Sequence, residues 1–350
     1  MGSQLKCVMS APAPTPHKTL VTLVRALRAL ADGAPATCAS LARVLDVAVE
    51  ELDAALASAE ARAAGIRSQP DGTLAVAPAF DALDAPSIAA AMAATARPAF
   101  DVHVVLVSGS TNSELMAHAA SLPSGRVLVA ELQTAGRGRR GRGWQASLGG
   151  SLTFSLLWRF DAGATTLSGL SLVVGLATAR ALDRCGARGV MLKWPNDLLV
   201  RNRAGWAKLG GILIEISGPA QGPAQAVIGI GLNLRLGDAA TAIDQAATDL
   251  ASIGVTISRN RLLATVLEEL AIVLPVFASK GFTPFMEQWN ARHAFRDQPV
   301  VASGADGAPD EGIAIAAMAD GALQIESPGG RRRIVSGEVS LRAAPARSNC

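Results

Sequence analysis

The chain of 350 residues has no tyrosine and is only 4% aromatic. Its core must therefore be built mainly from Ala, Leu, Val and Ile. The four cysteines, Cys7, Cys38, Cys185 and Cys350, lie far apart, with no CxxC pair and no histidine at metal-ligand spacing. That argues against a disulfide framework or a zinc site and fits a reducing compartment. The four histidines are scattered, no Ser/His/Asp arrangement is readable, and no acidic pair stands out for acid–base work. Charge is sparse as well: 17% of residues, with a formal net charge of +3, which does not announce a nucleic-acid partner. No uninterrupted apolar run is long enough to span a bilayer. Residues 1–16 lack the basic-then-apolar order of a signal peptide. We expect a cytoplasmic protein with no membrane partner.

What is present supports two or three packed domains, since half of a long chain is hydrophobic. Residues 1–16 include Ala11-Pro12-Ala13-Pro14-Thr15-Pro16 and read as a disordered tail. Over 17–84, Leu20, Leu23, Val24, Leu27 and Leu30 recur at helix spacing, stopped by Gly33 and Pro35. A second helix carries Leu41, Val44 and Leu45, and a third carries Leu52 and Leu56 and ends near Gly65. A hairpin over 66–76 then turns at Pro70-Asp71-Gly72. Three helices and a hairpin is the order of a winged helix-turn-helix. Residues 85–98 form an Ala-rich helical connector closed by Pro98.

Residues 99–296 alternate strands and helices. Strands are expected at 102–107, 127–132, 152–157, 190–193, 209–216 and 226–230, and helices at 167–184, 259–277 and 283–293. This is an α/β or α+β sheet domain. Residues 297–345 hold short β-like runs split by Asp306-Gly307, Asp320-Gly321 and Gly329-Gly330, the spacing of a small β-barrel or sandwich.

The segment Gly136-Arg137-Gly138-Arg139-Arg140-Gly141-Arg142-Gly143-Trp144 carries the sharpest chemistry. Glycine permits close backbone approach, and arginine supplies planar forks for carboxylate and phosphate oxygens. It is not a Walker A loop, because Arg142-Gly143 follows Gly141 where Lys-Ser/Thr belongs. Taken alone it is equally a solvated basic loop. In Lys193-Trp194-Pro195-Asn196-Asp197, a lysine leaves a strand into a turn, where it can neutralise phosphate or simply end the strand. Lys208-Leu209-Gly210-Gly211-Ile212-Leu213-Ile214-Glu215 again opens a strand with lysine, with two glycines for close approach. In Gly229-Ile230-Gly231-Leu232-Asn233, the asparagine can read a nucleobase edge or tolerate a left-handed turn. Ser108-Gly109-Ser110-Thr111-Asn112 is either a helix cap or a set of partners for a buried polar ligand.

Taken in order, these segments resemble the bacterial biotin protein ligases, as does the ending Gly337-Glu338-Val339-Ser340-Leu341-Arg342. The resemblance spans 17–342. It implies a winged-helix-like N-terminal domain, a central mixed-sheet catalytic domain and a small C-terminal SH3-like β-barrel. It implies that biotin and ATP are substrates, with Mg²⁺, and that biotin passes through biotinyl-5′-AMP to a lysine of the biotin carboxyl carrier protein.

The roles it implies fall on particular residues. Ser110, Thr111, Asn112 and Gln133 match the positions around the biotin head group. Arg137, Gly138 and Arg139 match the loop that folds over biotin and its adenylate. Lys193 matches the lysine on the biotin carboxylate and reacting phosphate, so that Lys193 and Arg139 are the catalytic candidates. Gly136, Arg140, Arg142, Trp144, Lys208 and Asn233 fall where the nucleotide is held, and Asp197 where magnesium is positioned. A homodimer through the central sheet is implied when the adenylate is bound.

The chain departs from that pattern twice. Bifunctional members bind an operator, but the expected recognition helix over 46–60 has Asp46, Glu50, Glu51, Asp53 and Glu60 and no Lys or Arg. Across 17–84, six Lys and Arg face nine Asp and Glu, the wrong balance for a surface that must meet phosphates. We expect a ligase without a DNA role, ahead of a bifunctional ligase and repressor of biotin synthesis. In addition, Ala247-Thr248-Asp249-Leu250 lacks the aromatic that stacks on adenine in some members, so an adenine wall must come from elsewhere. A lipoate ligase or octanoyl transferase would need a long apolar pocket, which the Ser-Thr-Asn turn and Gln133 do not favour. A regulator that only senses biotinyl-AMP and a nonspecific RNA-binding protein explain fewer of the segments.

Overall fold

The computed structural model describes residues 16–31, 36–77, 79–203, 205–237, 246–303, 310–335 and 340–343. The expected tail up to residue 15, the helix stop at Gly33 and Pro35, the turn at Asp306-Gly307 and the segment 336–339 lie outside these residues. The chain divides into two compact units, parted between Phe80 and Asp81.

The N-terminal unit is built on α1 (His17–Ala31), whose Leu20, Leu23, Val24, Leu27 and Leu30 are buried on one side. Short strand β1 (Ala36–Thr37) leads into α2 (Cys38–Leu45), capped by Thr37, whose hydroxyl accepts the Ser40 amide. The expected third helix is two: α3 (Val49–Leu56) and α4 (Ala59–Ala63). Ser58 causes the break, because its hydroxyl caps α4 by accepting the Ala61 amide at 3.1 Å. Strands β2 (Ile66–Ser68) and β3 (Thr73–Val76) form the expected hairpin, and β3 also pairs with β1, giving the order β1-β3-β2.

The second unit opens with α5 (Ala85–Ala91), which stops earlier than the connector reading expects. Beyond it, the Ala93 amide donates to the Glu268 carboxylate rather than continuing the helix. The unit then lays down β4 (Asp101–Ser108), α6 (Thr111–His118), β5 (Arg126–Gln133), β6 (Gly136–Arg137), β7 (Gly143–Trp144) and β8 (Ser151–Phe160). Next come α7 (Leu170–Arg184), β9 (Met191–Lys193), β10 (Asp197–Asn202), β11 (Gly205–Ser217), β12 (Ala224–Asn233), α8 (Arg259–Lys280) and α9 (Met286–Ala291). The sheet order is β4-β5-β8-β12-β11-β10-β9. Only β4 and β5 run parallel, so the central sheet is mixed, as expected.

Strand alternation divides this sheet into two unlike faces. Leu152, Phe154 and Leu156 of β8, with Ile228 and Ile230 of β12, pack into the main core with α7 and α8. The other face carries Leu157 and Val227 against Leu115 and Ala119 of α6. Between β10 and β11 the register shifts: Leu198 pairs with Gly210 and Leu199 with Lys208, leaving Leu209 as an extra residue in β11. Helix α8 is long and apolar enough to cross a membrane by length and composition, contrary to the expectation of no such run. Here it is a core helix, with Leu262, Leu263, Val266, Leu267, Leu270, Val273 and Leu274 buried. Its N-terminal Arg259 pairs with Glu131 at 2.6 Å, both almost wholly buried.

The C-terminal strands β13 (Pro299–Ser303), β14 (Asp310–Ala317), β15 (Leu323–Ser327), β16 (Gly330–Ile334) and β17 (Ser340–Ala343) correct the barrel expectation. They form an open sheet in the order β16-β15-β14-β13-β17, with β16 and β17 at opposite edges and unpaired to each other. Closure would require those two edges to pair. Edge strand β16 instead exposes Arg331, Arg332 and Arg333, which form ion pairs with Glu326, Asp310 and Asp320. A charged, solvent-facing edge is how a sheet avoids pairing further.

The expected helix over 283–293 gives way after Ala291 because the chain turns to the sheet. The Leu192 amide donates to the Arg292 carbonyl and the Ala294 amide to the Leu192 carbonyl. This places His293 in the core, 3% exposed, with neither ring nitrogen hydrogen-bonded and its ring 5.0 Å from that of Trp289. Burial depresses its pKa from 6.5 to about 4, helped by Arg296. Between those values the unfolded chain binds the extra proton, so stability falls as pH drops from about 6.5 towards about 4, by up to roughly 3 kcal/mol. Melting temperatures across that window should decline more steeply for the wild type than for His293→Phe; equal slopes would remove His293 as the cause.

Candidate active site

The α6 face of the sheet holds a cavity of about 1030 Å³. Every sequence-predicted site residue lines it except Gly136. Gly136 sits behind, paired with Trp144 across the β6–β7 ladder. A Cβ there would meet the Trp144 carbonyl oxygen at 2.7 Å.

One group of cavity residues forms a neutral hydrogen-bond network. The Ser110 hydroxyl caps α6, as the cap reading expects. Thr111 donates through its amide (2.7 Å) and hydroxyl (3.0 Å) to Gln133 Oε1. Its hydroxyl also meets that of Ser155 at 2.7 Å, and Ser155 donates to Asn112 Oδ1 at 2.6 Å. Asn112 Nδ2 donates to the Leu213 carbonyl and to Glu215 Oε2. Gly229 makes room for this network, since a Cβ there would lie 2.2 Å from Asn112 Oδ1. Thr153 and Ser155 were absent from the sequence reading. Their signal was two polar residues alternating with Leu152, Phe154 and Leu156, and only the pairing of β8 with β12 shows which cavity-facing residues they join.

A second group is cationic. The β9–β10 hairpin sets Lys193 opposite Asp197, and β11 brings Lys208 alongside. Asp197 accepts from Lys208 Nζ at 2.7 Å and from Lys193 Nζ at 3.4 Å. It is the only carboxylate lining the cavity among the described residues. Burial by itself would raise its pKa, but Lys208 and Lys193 outweigh that and hold it below the ordinary carboxylate value. Burial lowers the pKa of Lys193 against the pull of Asp197. Each lysine also lies 5.8 Å from an aromatic centroid, Lys193 from Phe295 and Lys208 from Trp144. The Trp144 indole lies against Gly231, where a Cβ would come within 2.5 Å of the ring.

The Gly/Arg loop spans both groups. The Gly138 amide donates to the Arg142 carbonyl at 2.7 Å, closing the loop on itself around Arg140, which adopts a left-handed conformation (φ 59°). Arg137 pairs with Glu215 at 3.0 Å and donates to Ser113. Arg139 donates to Asn196 Oδ1, and Asn196 in turn donates to the Ile212 carbonyl. Burial, more than the neighbouring arginines, lowers the Arg139 pKa, with Asp197 opposing. Two buried polar atoms in the cavity wall, Asn233 Oδ1 and Trp144 Nε1, have no hydrogen-bond partner. Asn233 Nδ2 is spent on the Thr248 carbonyl at 3.1 Å. Besides Ser155, the sequence reading missed Asn196, Trp206 and Phe295 as wall residues.

The arrangement can hold a neutral polar head group at one place and a polyanion at another, within one continuous cavity. The pattern of the biotin/lipoate A/B protein ligase family matches residues 106–233. The bifunctional ligase/repressor BirA of Salmonella typhimurium is 38% identical over 245 residues, which cover 70% of this chain and 75% of that protein. The biotin–[acetyl-CoA-carboxylase] ligase of Paracoccus denitrificans is 34% identical over 236 residues, covering 66% of this chain and 96% of that protein. The biotin protein ligase from Aquifex aeolicus, solved in complex with biotin and ATP, superposes with a TM-score of 0.61 at 29% identity, covering 70% of this chain and 99% of that one. With this extent of shared sequence and this shared fold, the chain belongs to the bacterial biotin protein ligase family.

Proposed function

We infer that the cavity performs both steps of ATP-dependent protein biotinylation. The observation that carries this reading is the pairing, along one strand, of a neutral polar pocket with a cluster of cations. Lys208 and Gly211 of β11 border the cations, and Leu213 and Glu215 border the polar network. In the first step a biotin carboxylate oxygen attacks the α-phosphorus of ATP. The bond from that phosphorus to the bridging oxygen breaks and pyrophosphate leaves. In the second step the neutral ε-amine of a carrier-protein lysine attacks the acyl carbon of biotinyl-5′-AMP. The bond to the phosphate oxygen breaks, AMP leaves and the amine loses a proton. The acceptor is the biotin carboxyl carrier protein.

Each group of residues has a part in this. Ser110, Thr111, Asn112 and Gln133, braced by Ser155, receive the ureido head of biotin, which offers both donors and an acceptor. Lys193 and Arg139 are the catalytic residues, stabilising charge on the carboxylate and α-phosphate as they react. Arg137, Gly138 and Arg139 close over the mixed anhydride and keep water from it. Arg140, Arg142, Trp144 and Lys208 hold the nucleotide, with Gly136 setting the loop beneath them. Asn233 Oδ1, a buried acceptor in want of a donor, suits the exocyclic amine of adenine.

No cluster of three or more His, Cys, Asp or Glu exists among the described residues. A magnesium ion held by one carboxylate together with substrate phosphates fits that donor set. Asp197 is the residue that would hold it, and the ion would neutralise phosphate charge there.

The N-terminal unit we read as a winged helix-turn-helix that does not bind DNA, within the division 17–84, 85–98, 99–296 and 297–345. In it Lys18 pairs with Glu51 at 2.5 Å, and Arg25 and Arg62 donate to the Leu45 and Ala57 carbonyls, so at least three of the six Lys and Arg of 17–84 are engaged within the unit. Dimerisation through the central sheet and a cytoplasmic location without membrane contact belong to the same reading.

Three outcomes are expected. Pyrophosphate should exchange into ATP with Mg²⁺ only when biotin is present, not with lipoate or octanoate, and exchange should fall at least 100-fold in Arg139→Ala and Lys193→Ala. Failure of the folded wild type to exchange would end the ligase reading. Gly229→Ala, which drives a methyl into Asn112, should raise the KM for biotin about 10-fold or more while changing that for ATP little. Finally, the full chain with biotin and ATP should give no salt-sensitive, sequence-selective shift of promoter DNA in a gel; such a shift would restore the repressor role.

A further inference from the structure

We propose that Trp206 is the wall on which the purine of ATP stacks, and that it sets the preference of this chain for a nucleoside triphosphate. The inference rests on the ligase reading above and adds to it a residue that the sequence motifs do not include.

The argument starts from β11. Trp206 and Lys208 lie two residues apart in this strand and both line the cavity, while Ala207 between them is buried on the other side. The two side chains therefore share a face, with backbone positions about 7 Å apart. Lys208 is one of the cations lining the cavity and falls in the set read above as holding the nucleotide, with Asp197 and Trp144 beside it. A base attached to a phosphate there through a ribose reaches about this far. Among the described residues, the neighbouring segment 246–248 adds no aromatic side chain to the wall. The Lys208 amide donates to the Ala246 carbonyl and the Thr248 amide to the Lys208 carbonyl, so among the described residues this segment brings Ala246 and Ala247 to the cavity wall. Small residues leave the space, and the indole fills one side of it.

Two further observations fit a base in that space. Asn233, whose Nδ2 reaches the Thr248 carbonyl and lies 3.5 Å from that of Lys208, aims an unpartnered Oδ1 into the same wall. The Arg201 guanidinium lies over the Trp206 ring, 5.7 Å from its centroid, and braces the indole from β10. Trp206 is half-buried and touches the core, so it is held in place without a bound nucleotide. A wall that is already ordered loses little freedom when a base meets it.

Steady-state biotin-dependent pyrophosphate exchange tests this in Trp206→Ala and Trp206→Phe. Stacking on an aromatic predicts a KM for ATP raised about 10-fold or more in the alanine variant, restored to within about threefold by phenylalanine. The KM for biotin should stay within about twofold in both. Inorganic triphosphate, which has no base, should inhibit the wild type and Trp206→Ala equally. An unchanged KM for ATP in Trp206→Ala, or equal rises for ATP and biotin, or failure of phenylalanine to restore, would overturn the assignment. Exchange by the wild type is the separate control, because its absence would strike the ligase reading and not the role of Trp206.

Discussion

A single buried carboxylate organises the reactive end of this protein. Asp197 holds Lys193 and Lys208 together, and without it two partly buried ammonium groups would lie near one another with no carboxylate between them. Breaking such a cluster is costly because the remaining charges stay buried and uncompensated. The sheet edge is laid out to supply this contact. The turn after β9 returns β10 directly opposite Lys193, and β11 then pairs with β10 so that Asp197 sits across from Gly211. Asn196, at the turn itself, reaches both Arg139 and the Ile212 carbonyl, so the same hairpin that sets the carboxylate also fixes the arginine loop.

That loop is the link between the two functional halves of the cavity. Arg137 is tied through Glu215 to Asn112, within the neutral network, and Arg139 is tied through Asn196 to the hairpin of Lys193 and Asp197. The same short run of chain contacts both ends of the cavity. The loop is thus already shaped, with its own internal hydrogen bond, and needs to change partners more than conformation.

Much of this was legible in the sequence because glycine, arginine and lysine cluster where backbone must come close to an anion. The expected strands of the central sheet fell within a few residues of their observed ends, whereas β10, which carries Asp197, falls where a turn after Lys193 is expected. What escaped has physical causes. The third N-terminal helix breaks at Ser58, whose side chain competes locally with the backbone. The C-terminal strands have barrel-like spacing, but spacing says nothing of whether edges meet, and the arginines of β16 keep that edge in solvent. Thr153, Ser155, Trp206 and Phe295 belong to the cavity only through the pairing and packing of distant segments, which no local pattern encodes.

The extra residue in β11 has a consequence for which sequence changes the family can tolerate. Before Leu209 the cavity is met by even-numbered residues, Trp206 and Lys208; after it, by Gly211 and Leu213. The bulge changes the phase of the strand, so one continuous stretch of chain serves both the cationic and the neutral ends. Deleting one residue between 206 and 211 would turn the indole and the ammonium into the core together. Length, and not only residue identity, is therefore under constraint along this strand.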